Sequence, residues 1–263
     1  MLILLTNDDG IESPVLPVLK TALDAVAETL VFAPDHNWSA SGHPKTMHKM
    51  LRADPIEWPD GSVAYKSSGA PPDCVALALL GVIDRAPDLI VSGINLGANL
   101  GYDLFYSGTV AAAVEGVVSG LPAIAFSRVI PFADPDDDSA PQARFAARLA
   151  RLVLKRGLPA DTLLNVNFPA ARWEAVQGVS VTRLGRRVYQ DELVRRRDPR
   201  GRDYYWIGGR PPTGVPDYGT DVWAVENNRI SVTPISLNIT AHRMIEDLKR
   251  WRIEELWQEV TQT

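Results

Sequence analysis

Met1-Leu-Ile-Leu-Leu-Thr-Asn-Asp-Asp-Gly10 opens this 263-residue chain, and the architecture expected for the remainder follows from it. The four apolar residues from Leu2 to Leu5 are typical of a short strand that is buried on both faces of a sheet. After Thr6, the four residues Asn7 to Gly10 favour a turn, in which Gly10 is free to adopt a positive φ. The sequence therefore predicts two adjacent carboxylates at the carboxyl end of the first strand, where open α/β sheets bind their ligands.

The carboxylates of Asp8 and Asp9 repel each other, so this loop requires a neighbouring cation, either a metal ion or a basic side chain. We expect a divalent metal ion. An isolated Asp-Asp-Gly turn is also compatible with carboxylates that only cap the following helix. The metal hypothesis therefore depends on whether other ligands reach the same place.

Two more polar loops follow predicted strands. Ser39 lies after the strand Thr29–Pro34, and Asn95 lies after the strand Asp88–Ser92. In a doubly wound sheet these loops converge with the first one, although they are far apart in the sequence. Carboxylate, hydroxyl and amide oxygens suit Mg²⁺, Mn²⁺ or Ca²⁺, and the sequence has no Cys/His cluster that would bind zinc.

Strands and helices alternate along most of the chain. A helix is predicted at Pro14–Ala27 between the first two strands, and this order predicts a parallel sheet with a right-handed crossover. Further strands are expected at Val63–Ser67, Pro122–Ser127 and Leu163–Phe168, with helices near residues 71–80, 108–118 and 142–155. We therefore expect a three-layer, Rossmann-like α/β fold with a mostly parallel sheet.

An arm outside the main sheet is predicted after Val179. Residues 183–219 are rich in Arg, Gly and aromatic residues, unlike the strands and helices before them. Within this segment, Val188–Val194 and Tyr204–Ile207 have the composition of hairpin strands. We expect an extended β-hairpin.

The rest of the chain is expected to form one α/β core, residues 1–182 and 220–236, followed by a C-terminal tail, residues 237–263. The apolar residues of Ala241–Val260 recur at helical spacing, which predicts one amphipathic terminal helix.

Composition narrows the class of protein. The net charge of −5 argues against a protein that coats nucleic acid, but not against one that binds small anionic substrates. The single cysteine, Cys74, cannot form an internal disulfide, which fits a reducing compartment, and we expect it to be a core residue. The sequence has neither the pattern of a signal peptide nor an apolar run long enough to span a membrane, so we expect a cytoplasmic protein.

A loop dense in Gly, Asn and Ser, residues 93–109, leads into the helix predicted to begin near Gly108. Backbone amides at a helix N-terminus, with the hydroxyls of Ser107 and Thr109 beside them, are suited to bind phosphate. The glycine spacing matches neither the Walker A pattern nor the dinucleotide-binding pattern. Alone, such a loop is equally compatible with a set of tight turns.

Several of these stretches together resemble the SurE (survival protein E) family of metal-dependent 5'/3'-nucleotidases, over nearly the full length of the chain. The resemblance is carried, in order, by Thr6–Gly10, Ala33–Asp35 with Ser39–His43, Ser68–Val75, Ser92–Gly101, Tyr106–Ala113 with Glu115-Gly116, Asn165–Pro169, and Thr220-Asp221 with Ser231–Pro234. It implies hydrolysis of nucleoside 5'- and 3'-monophosphates, with short polyphosphate as a further substrate.

The resemblance also implies one divalent metal ion per subunit, Mg²⁺ or Mn²⁺, held by Asp8, Asp9, Ser39 and Asn95. Either Asp8 or Asp9 is expected to orient the attacking water or accept its proton. The non-bridging phosphate oxygens are expected to be held by amides and hydroxyls. These substrate-binding residues are Gly42, Asn99, Ser107, Gly108 and Thr109.

The sequence departs from the family pattern at two places. Pro44-Lys45-Thr46 stands where Ser-Ile-Thr is usual, so Lys45 is either a positive charge near the phosphate or a solvated loop residue. His43 beside it is either a general acid for the leaving alcohol or a structural residue. Asn238 stands where Asp is common, in the tail that similar proteins exchange between subunits. The resemblance therefore implies a homodimer or homotetramer, in which the hairpin arm and the C-terminal helix serve in oligomerisation.

A second hypothesis from a different class is a non-catalytic nucleotide- or RNA-binding module that uses the arginines of the arm. The net negative charge argues against a stable nucleic-acid partner. We favour the interpretation that the arm lies between subunits and that its arginines pair with Asp191, Glu192, Asp198 and Asp203. An NAD-dependent oxidoreductase is disfavoured because the dinucleotide-binding pattern is missing.

Overall fold

The computed structural model describes residues 1–39, 42–129, 139–215 and 217–261. Most of these residues lie in strands and helices. Over the first two thirds of the chain the two kinds of element largely alternate. The elements are β1 (Leu2–Thr6), α1 (Val15–Asp24), β2 (Glu28–Pro34), β3 (Ala53–Glu57), β4 (Val63–Ser67), α2 (Pro71–Leu77), β5 (Leu89–Leu96), α3 (Gly108–Val118), β6 (Ala123–Arg128), α4 (Ala140–Arg156), β7 (Thr162–Phe168), β8 (Val179–Val181), β9 (Arg187–Arg197), β10 (Asp203–Gly214), α5 (Asp221–Glu226), β11 (Ile230–Ser236), α6 (His242–Arg250) and α7 (Leu256–Thr261).

Nine strands form one sheet in the order β3-β4-β2-β1-β5-β6-β7-β11-β8. The six strands from β4 to β7 in this order are mutually parallel, whereas β3 and β11 run antiparallel to β4 and β7. The chain proceeds outwards from β1 to β2 and then returns to place β5 on the other side of β1. This reversal between β1 and β5 is the topological switch point, outside which such sheets bind ligands.

Helices cover both faces of the sheet, which confirms the three-layer α/β prediction. On one face α1 and α4 pack against Ile3, Leu5 and Phe126, among other buried apolar side chains. On the other face α2 and α3 pack against residues that include Leu4 and Ile90. Cys74 belongs to this second core layer, where burial raises the pKa of its thiol. The cysteine is therefore a core residue, as expected.

The α3 face of the sheet changes from apolar to polar along the strands. Its apolar end includes Leu4, Ile90 and Leu163. Nearer the carboxyl edge, the same face carries polar side chains instead. They are completely buried, and they comprise Thr6, Ser92, Ser127, Asn165 and Asn167. The carboxyl edge of the sheet is therefore a buried polar layer, in which the hydroxyls of Thr6 and Ser92 have no hydrogen-bond partner among the described residues.

Two edge strands, β3 and β8, were not predicted from the sequence. β3 contains Pro55 and alternates little in hydrophobicity, because it pairs only with β4 and is mostly exposed. β8 is three residues long and pairs with β11 at the other edge. Short edge strands bury too little apolar surface to leave a clear sequence pattern.

The prediction of one continuous helix over 241–260 is wrong. α6 ends at Arg250, Arg252 adopts a left-handed conformation with φ 56°, and α7 begins at Leu256. The apolar stripe changes phase at this point: Met244, Leu248 and Trp251 share one face of a helix, but Ile253 lies on another. Because the helix is interrupted between α6 and α7, each of the two helices can orient its apolar face independently.

The hairpin arm is a separate two-stranded sheet, in which β9 and β10 pair from Arg187 opposite Gly214 to Arg197 opposite Asp203. Both strands are longer than the sequence predicted. Asp203 forms ion pairs with Arg195 and Arg197, as the structural interpretation of the arginines expected. Among the residues that the structure describes, no helix is long and apolar enough to cross a membrane.

Replacing Gly116 by Ala tests how closely α3 is packed on the sheet. A Cβ at this position would lie 2.6 Å from Cγ1 of Ile90. We expect Gly116→Ala to lower the free energy of unfolding by about 1–3 kcal/mol through overpacking, although Ala is the better helix former. Urea denaturation would measure the change. Val118→Ala, at an exposed position of the same helix, should change stability by less than about 0.5 kcal/mol, and an equal loss in both variants would contradict the packing argument.

Candidate active site at the carboxyl edge

The loop after β1 is held by its own asparagine. The side chain of Asn7 donates to the carbonyl of Gly10 (3.0 Å) and accepts from the amide of Gly10 (3.2 Å), whose φ is 97°. The amide of Trp38 donates to the carbonyl of Asp8 at 2.8 Å, which joins this loop to the one after β2. The turn therefore holds Asp8 and Asp9 at the carboxyl edge, as the residue types predict.

Asp8 lies against the N-terminus of α3. The hydroxyl of Thr109 donates to Oδ1 of Asp8 at 2.5 Å, and the backbone amide of Thr109 is a further hydrogen-bond partner of this carboxylate. Gly108 permits the close approach, because a Cβ there would lie 2.9 Å from Cβ of Asp8. Burial raises the pKa of Asp8, and these hydrogen bonds offset only part of that effect. The positive end of the helix dipole also favours the charged form.

Asp9 is half-buried and less well compensated. Burial, and then the charge of Asp8, raises the pKa of Asp9 to about 6, although a backbone hydrogen bond from Leu96 and the charge of Arg128 act in the opposite direction. Its Oδ2 atom is buried and has no hydrogen-bond partner among the described residues. A buried carboxylate oxygen in this condition is a ready ligand for a cation.

A cavity of about 300 Å³ opens over these loops. It brings Asp8, Ser39 and Asn95 together, as the sequence predicted, and Asp9 lies beside Asp8 without lining the cavity. The lining also includes two of the predicted substrate-binding residues. The full lining is Asp8, Ser39, Asn95, Leu96, Gly97, Ala98, Asn99, Asp103, Tyr106 and Ser107.

The four predicted metal ligands fit a hard divalent cation. β5 continues past an irregularity in its pairing to reach Asn95, whose Nδ2 donates to the carbonyl of Gly97 at 2.7 Å. That bond leaves the amide oxygen of Asn95 to serve as a ligand. Ser39 is exposed at the rim. Among the described residues, no group of three or more His, Cys, Asp or Glu side chains could hold a metal ion, so a metal ion here would need the hydroxyl and amide oxygens as well as the carboxylates.

The predicted substrate-binding residues differ in which of their donors are free. Ser107 caps α3 by accepting from the amide of Val110 at 3.1 Å, so its hydroxyl proton remains available to a ligand. Thr109, in contrast, uses its hydroxyl for Asp8. The amide of Gly42 donates to the carbonyl of Tyr106 at 3.0 Å. Gly42, Gly108 and Thr109 do not line the cavity, whereas Asn99 and Ser107 do.

His43 and Lys45 both contact Glu115, a buried carboxylate on α3. Nζ of Lys45 lies 2.9 Å from one carboxylate oxygen, and Nε2 of His43 lies 3.5 Å from the other. Lys45 is thus neither fully solvated nor directed at the cavity, since it is paired with Glu115. Residues 40 and 41, between Ser39 and this pair, lie outside the described residues.

Sequence reasoning missed three residues that support the cavity wall. Ser127, Asn165 and Asn167 hydrogen-bond to Asn99 from the adjoining strands β6 and β7. The available signal was the placement of polar residues two apart at the end of an otherwise apolar strand, which puts both asparagines on one buried face.

The strand order and the polar cavity at the switch point together define a three-layer, Rossmann-like α/β protein. The family model described as "Survival protein SurE" matches residues 3–191. The chain therefore belongs to the SurE family.

Relatives and a solved structure agree with this assignment. A protein of Chloroflexus aggregans named 5'-nucleotidase SurE is 52% identical over 254 residues, which cover 97% of this chain and 100% of that protein. A protein of Moorella thermoacetica with the same name is 45% identical over 259 residues, covering 98% of each. The crystal structure of the SurE protein from Aquifex aeolicus matches with a TM-score of 0.79 at 38% identity, covering 96% of this chain and 100% of that one.

Metal affinity should depend on pH through Asp9. The pKa of Asp9 is raised to about 6 in the folded protein, so this carboxyl group is protonated at lower pH. The protonated carboxyl stabilises the metal-free folded protein, and this contribution to stability is lost as the pH rises through 6. A metal ion must displace that proton, so Mn²⁺ should bind roughly tenfold more weakly at about pH 5 than at about pH 7.5. Calorimetric titration would measure the change, and Asp9→Asn should remove this component of the pH dependence. Equal affinity of the wild-type protein at both pH values would contradict the prediction.

Proposed function

We propose that the chain is a metal-dependent phosphomonoesterase that hydrolyses nucleoside 5'-monophosphates to nucleoside and phosphate. The observation that supports this function most directly is the pair of incompletely compensated carboxylates, Asp8 and Asp9, beside a cavity at the N-terminus of α3. The relatives named 5'-nucleotidase SurE, of which one is 52% identical over nearly the whole chain, support the nucleoside monophosphate as substrate. Nucleoside 3'-monophosphates and short polyphosphate are proposed as further substrates.

In this proposal Asp8, Asp9, Ser39 and Asn95 hold one Mg²⁺ or Mn²⁺ ion. When bound, the ion supplies positive charge that offsets the charge of the phosphate. The hydroxyl of Ser107 and the remaining N–H of the Asn99 side chain donate to non-bridging phosphate oxygens from the cavity wall. Thr109 contributes indirectly, because its hydroxyl fixes the carboxylate of Asp8.

The chain's own carboxylates also handle the proton of the attacking water. The hydroxyl of Thr109 donates to one carboxylate oxygen of Asp8, and the backbone of Leu96 donates a hydrogen bond to the carboxylate of Asp9. Either carboxylate can accept a proton or orient the water, as general base catalysis requires. His43 is held by Glu115 at the rim of a neighbouring groove and is not needed for this step.

Assembly and location complete the proposal. The arm exposes Leu193, Trp206 and Ile207, and the tail exposes Ile239 and Trp257, so both extensions present apolar side chains to a partner. We place them in a homodimer or homotetramer in the cytoplasm.

The decisive experiment measures phosphate release from a panel of nucleoside monophosphates and polyphosphate, with Mg²⁺, Mn²⁺ or a chelator. We expect Asp8→Asn and Asp9→Asn each to lower kcat/KM for AMP by more than about a hundredfold, because each removes a charge that holds the metal ion. Both variants should remain folded, since loss of a raised-pKa carboxylate relieves repulsion at this edge.

Asp54→Asn is the matched control, because Asp54 is an exposed carboxylate on the edge strand β3. It should leave kcat/KM unchanged. Full activity of both site variants, or full activity after exhaustive chelation, would refute the proposal. Tight, salt-sensitive RNA binding without any phosphate release would instead identify a nucleic-acid-binding module.

A further inference from the structure

Two asparagines at the end of β7 contact the backbone of Asn99, and we infer that Asn165 and Asn167 are positioning residues for phosphate binding. The inference rests on the proposed function, in which the Asn99 side chain donates to a phosphate oxygen. Neither asparagine lines the cavity. Both act through Asn99, which does.

Asn167 contacts Asn99 at two points. Its Oδ1 accepts from the backbone amide of Asn99 at 2.8 Å, and its Nδ2 donates to the carbonyl of the same residue at 3.1 Å. Nδ2 of Asn165 donates to that carbonyl as well, at 2.9 Å. Three hydrogen bonds therefore fix the peptide groups on both sides of one residue, in a loop that has no regular secondary structure of its own.

The Asn99 side chain is oriented by a fourth bond. Its Nδ2 donates to Oγ of Ser127 at 2.7 Å, which leaves one N–H on that nitrogen. Because the backbone is fixed by the two asparagines and the side chain by Ser127, the remaining N–H has a set direction. A donor that is oriented before the ligand arrives contributes more to binding than one that must be ordered.

Core packing alone does not explain asparagines at these positions. Both side chains are completely buried, and they follow Leu163 on the α3 face of the sheet. Buried amides lose their hydration, so apolar side chains would be more stable there unless the amides gain specific bonds. Oδ1 of Asn165 is also buried without a hydrogen-bond partner among the described residues. Asn165 therefore destabilises the core through its unpaired oxygen while its Nδ2 bonds to Asn99. A local loss of stability of this kind is expected at a functional site.

The neighbouring strand provides a matched control. Thr233 of β11 lies directly opposite Asn165, and its hydroxyl bonds to Thr182 at 2.7 Å in a buried cluster that also includes Ser231. Thr233→Val removes buried hydrogen bonds at the same depth of the same sheet. It does not touch Asn99, so it separates loss of stability from loss of positioning.

The test compares the steady-state kinetics of Asn167→Leu and Thr233→Val with AMP and Mn²⁺. Asn167→Leu removes two bonds to Asn99, and we expect KM to rise about tenfold with kcat changed by less than about threefold. The midpoint of the Mn²⁺ titration should not move, because no metal ligand is changed. Thr233→Val should lower the melting temperature without changing KM. A merely structural role for Asn167 would give both variants the same pattern.

A double-mutant cycle tests whether the effect passes through Asn99. In the background of Asn99→Ala, Asn167→Leu should change KM by less than about twofold, because the donor that it positions is already missing. If Asn167→Leu does not fold, Asn165→Ala replaces it, with an expected rise in KM of about threefold. An unchanged KM, or the same fold-change with and without the Asn99 side chain, would overturn the inference.

Failure of the proposed function gives a different result. If the wild-type protein releases no phosphate from any substrate, positioning is measured as the affinity of the Mn²⁺-loaded protein for inorganic phosphate. Affinity that is about tenfold weaker in Asn167→Leu but unchanged in Thr233→Val would support the inference. Equal affinity in all three proteins would overturn it.

Discussion

The site depends on one electrostatic problem, which is that Asp8 and Asp9 are adjacent carboxylates withdrawn from water. The protein opposes their repulsion with the hydroxyl and amide of Thr109, with a backbone hydrogen bond from Leu96 and with the charge of Arg128. The pKa of each carboxyl is nevertheless raised, so the compensation is incomplete. A site that its own residues leave short of positive charge attracts a cation, and in the proposed function the same deficit would contribute to the binding of a metal ion.

The fold brings the required partners to this point through the reversal of strand order between β1 and β5. That reversal leaves a crevice in which α3 can direct its N-terminus at Asp8. The helix reaches so close because it carries Gly108 against the carboxylate and Gly116 against Ile90 of β5. Both glycines are poor helix formers. Their cost in helix stability is offset by an approach that no larger residue allows, so the chain favours proximity over helix propensity at both positions.

The sequence predicted the main sheet and the convergence of Asp8, Ser39 and Asn95, because each follows a short apolar run and parallel strands end at one edge. It could not predict the use made of Thr109, whose hydroxyl was expected to face the phosphate and instead donates to Asp8. The choice of partner depends on distances across three elements, and no local pattern records it. The same holds for Asn165 and Asn167, whose bonds to Asn99 span more than sixty residues of sequence.

Edge strands and the tail show a different limit. β3 and β8 left no pattern because they bury little, whereas the break at Arg252 was visible in the sequence as a change of phase between Trp251 and Ile253. The prediction of a single helix averages the periodicity of two helical segments that differ in phase. A phase change within an apolar stripe indicates two helices, because one straight helix cannot keep both halves on the same face.

The arm and the cavity are not independent parts of the molecule. Asp221 is completely buried and accepts from the amide of Gly101 at 2.8 Å and from that of Gly185 at 2.7 Å, so it connects the cavity loop with the segment that enters the arm. Asp103, which lines the cavity, accepts from Nε of Arg187 (2.9 Å) and from the hydroxyl of Tyr189 (2.6 Å) in β9. Burial raises the pKa of Tyr189 to about 12, together with its hydrogen bond to Asp103 and the charge of that carboxylate. If the start of β9 were displaced, these hydrogen bonds would break or the cavity wall would move with it. The geometry of the cavity therefore depends on the position of the arm.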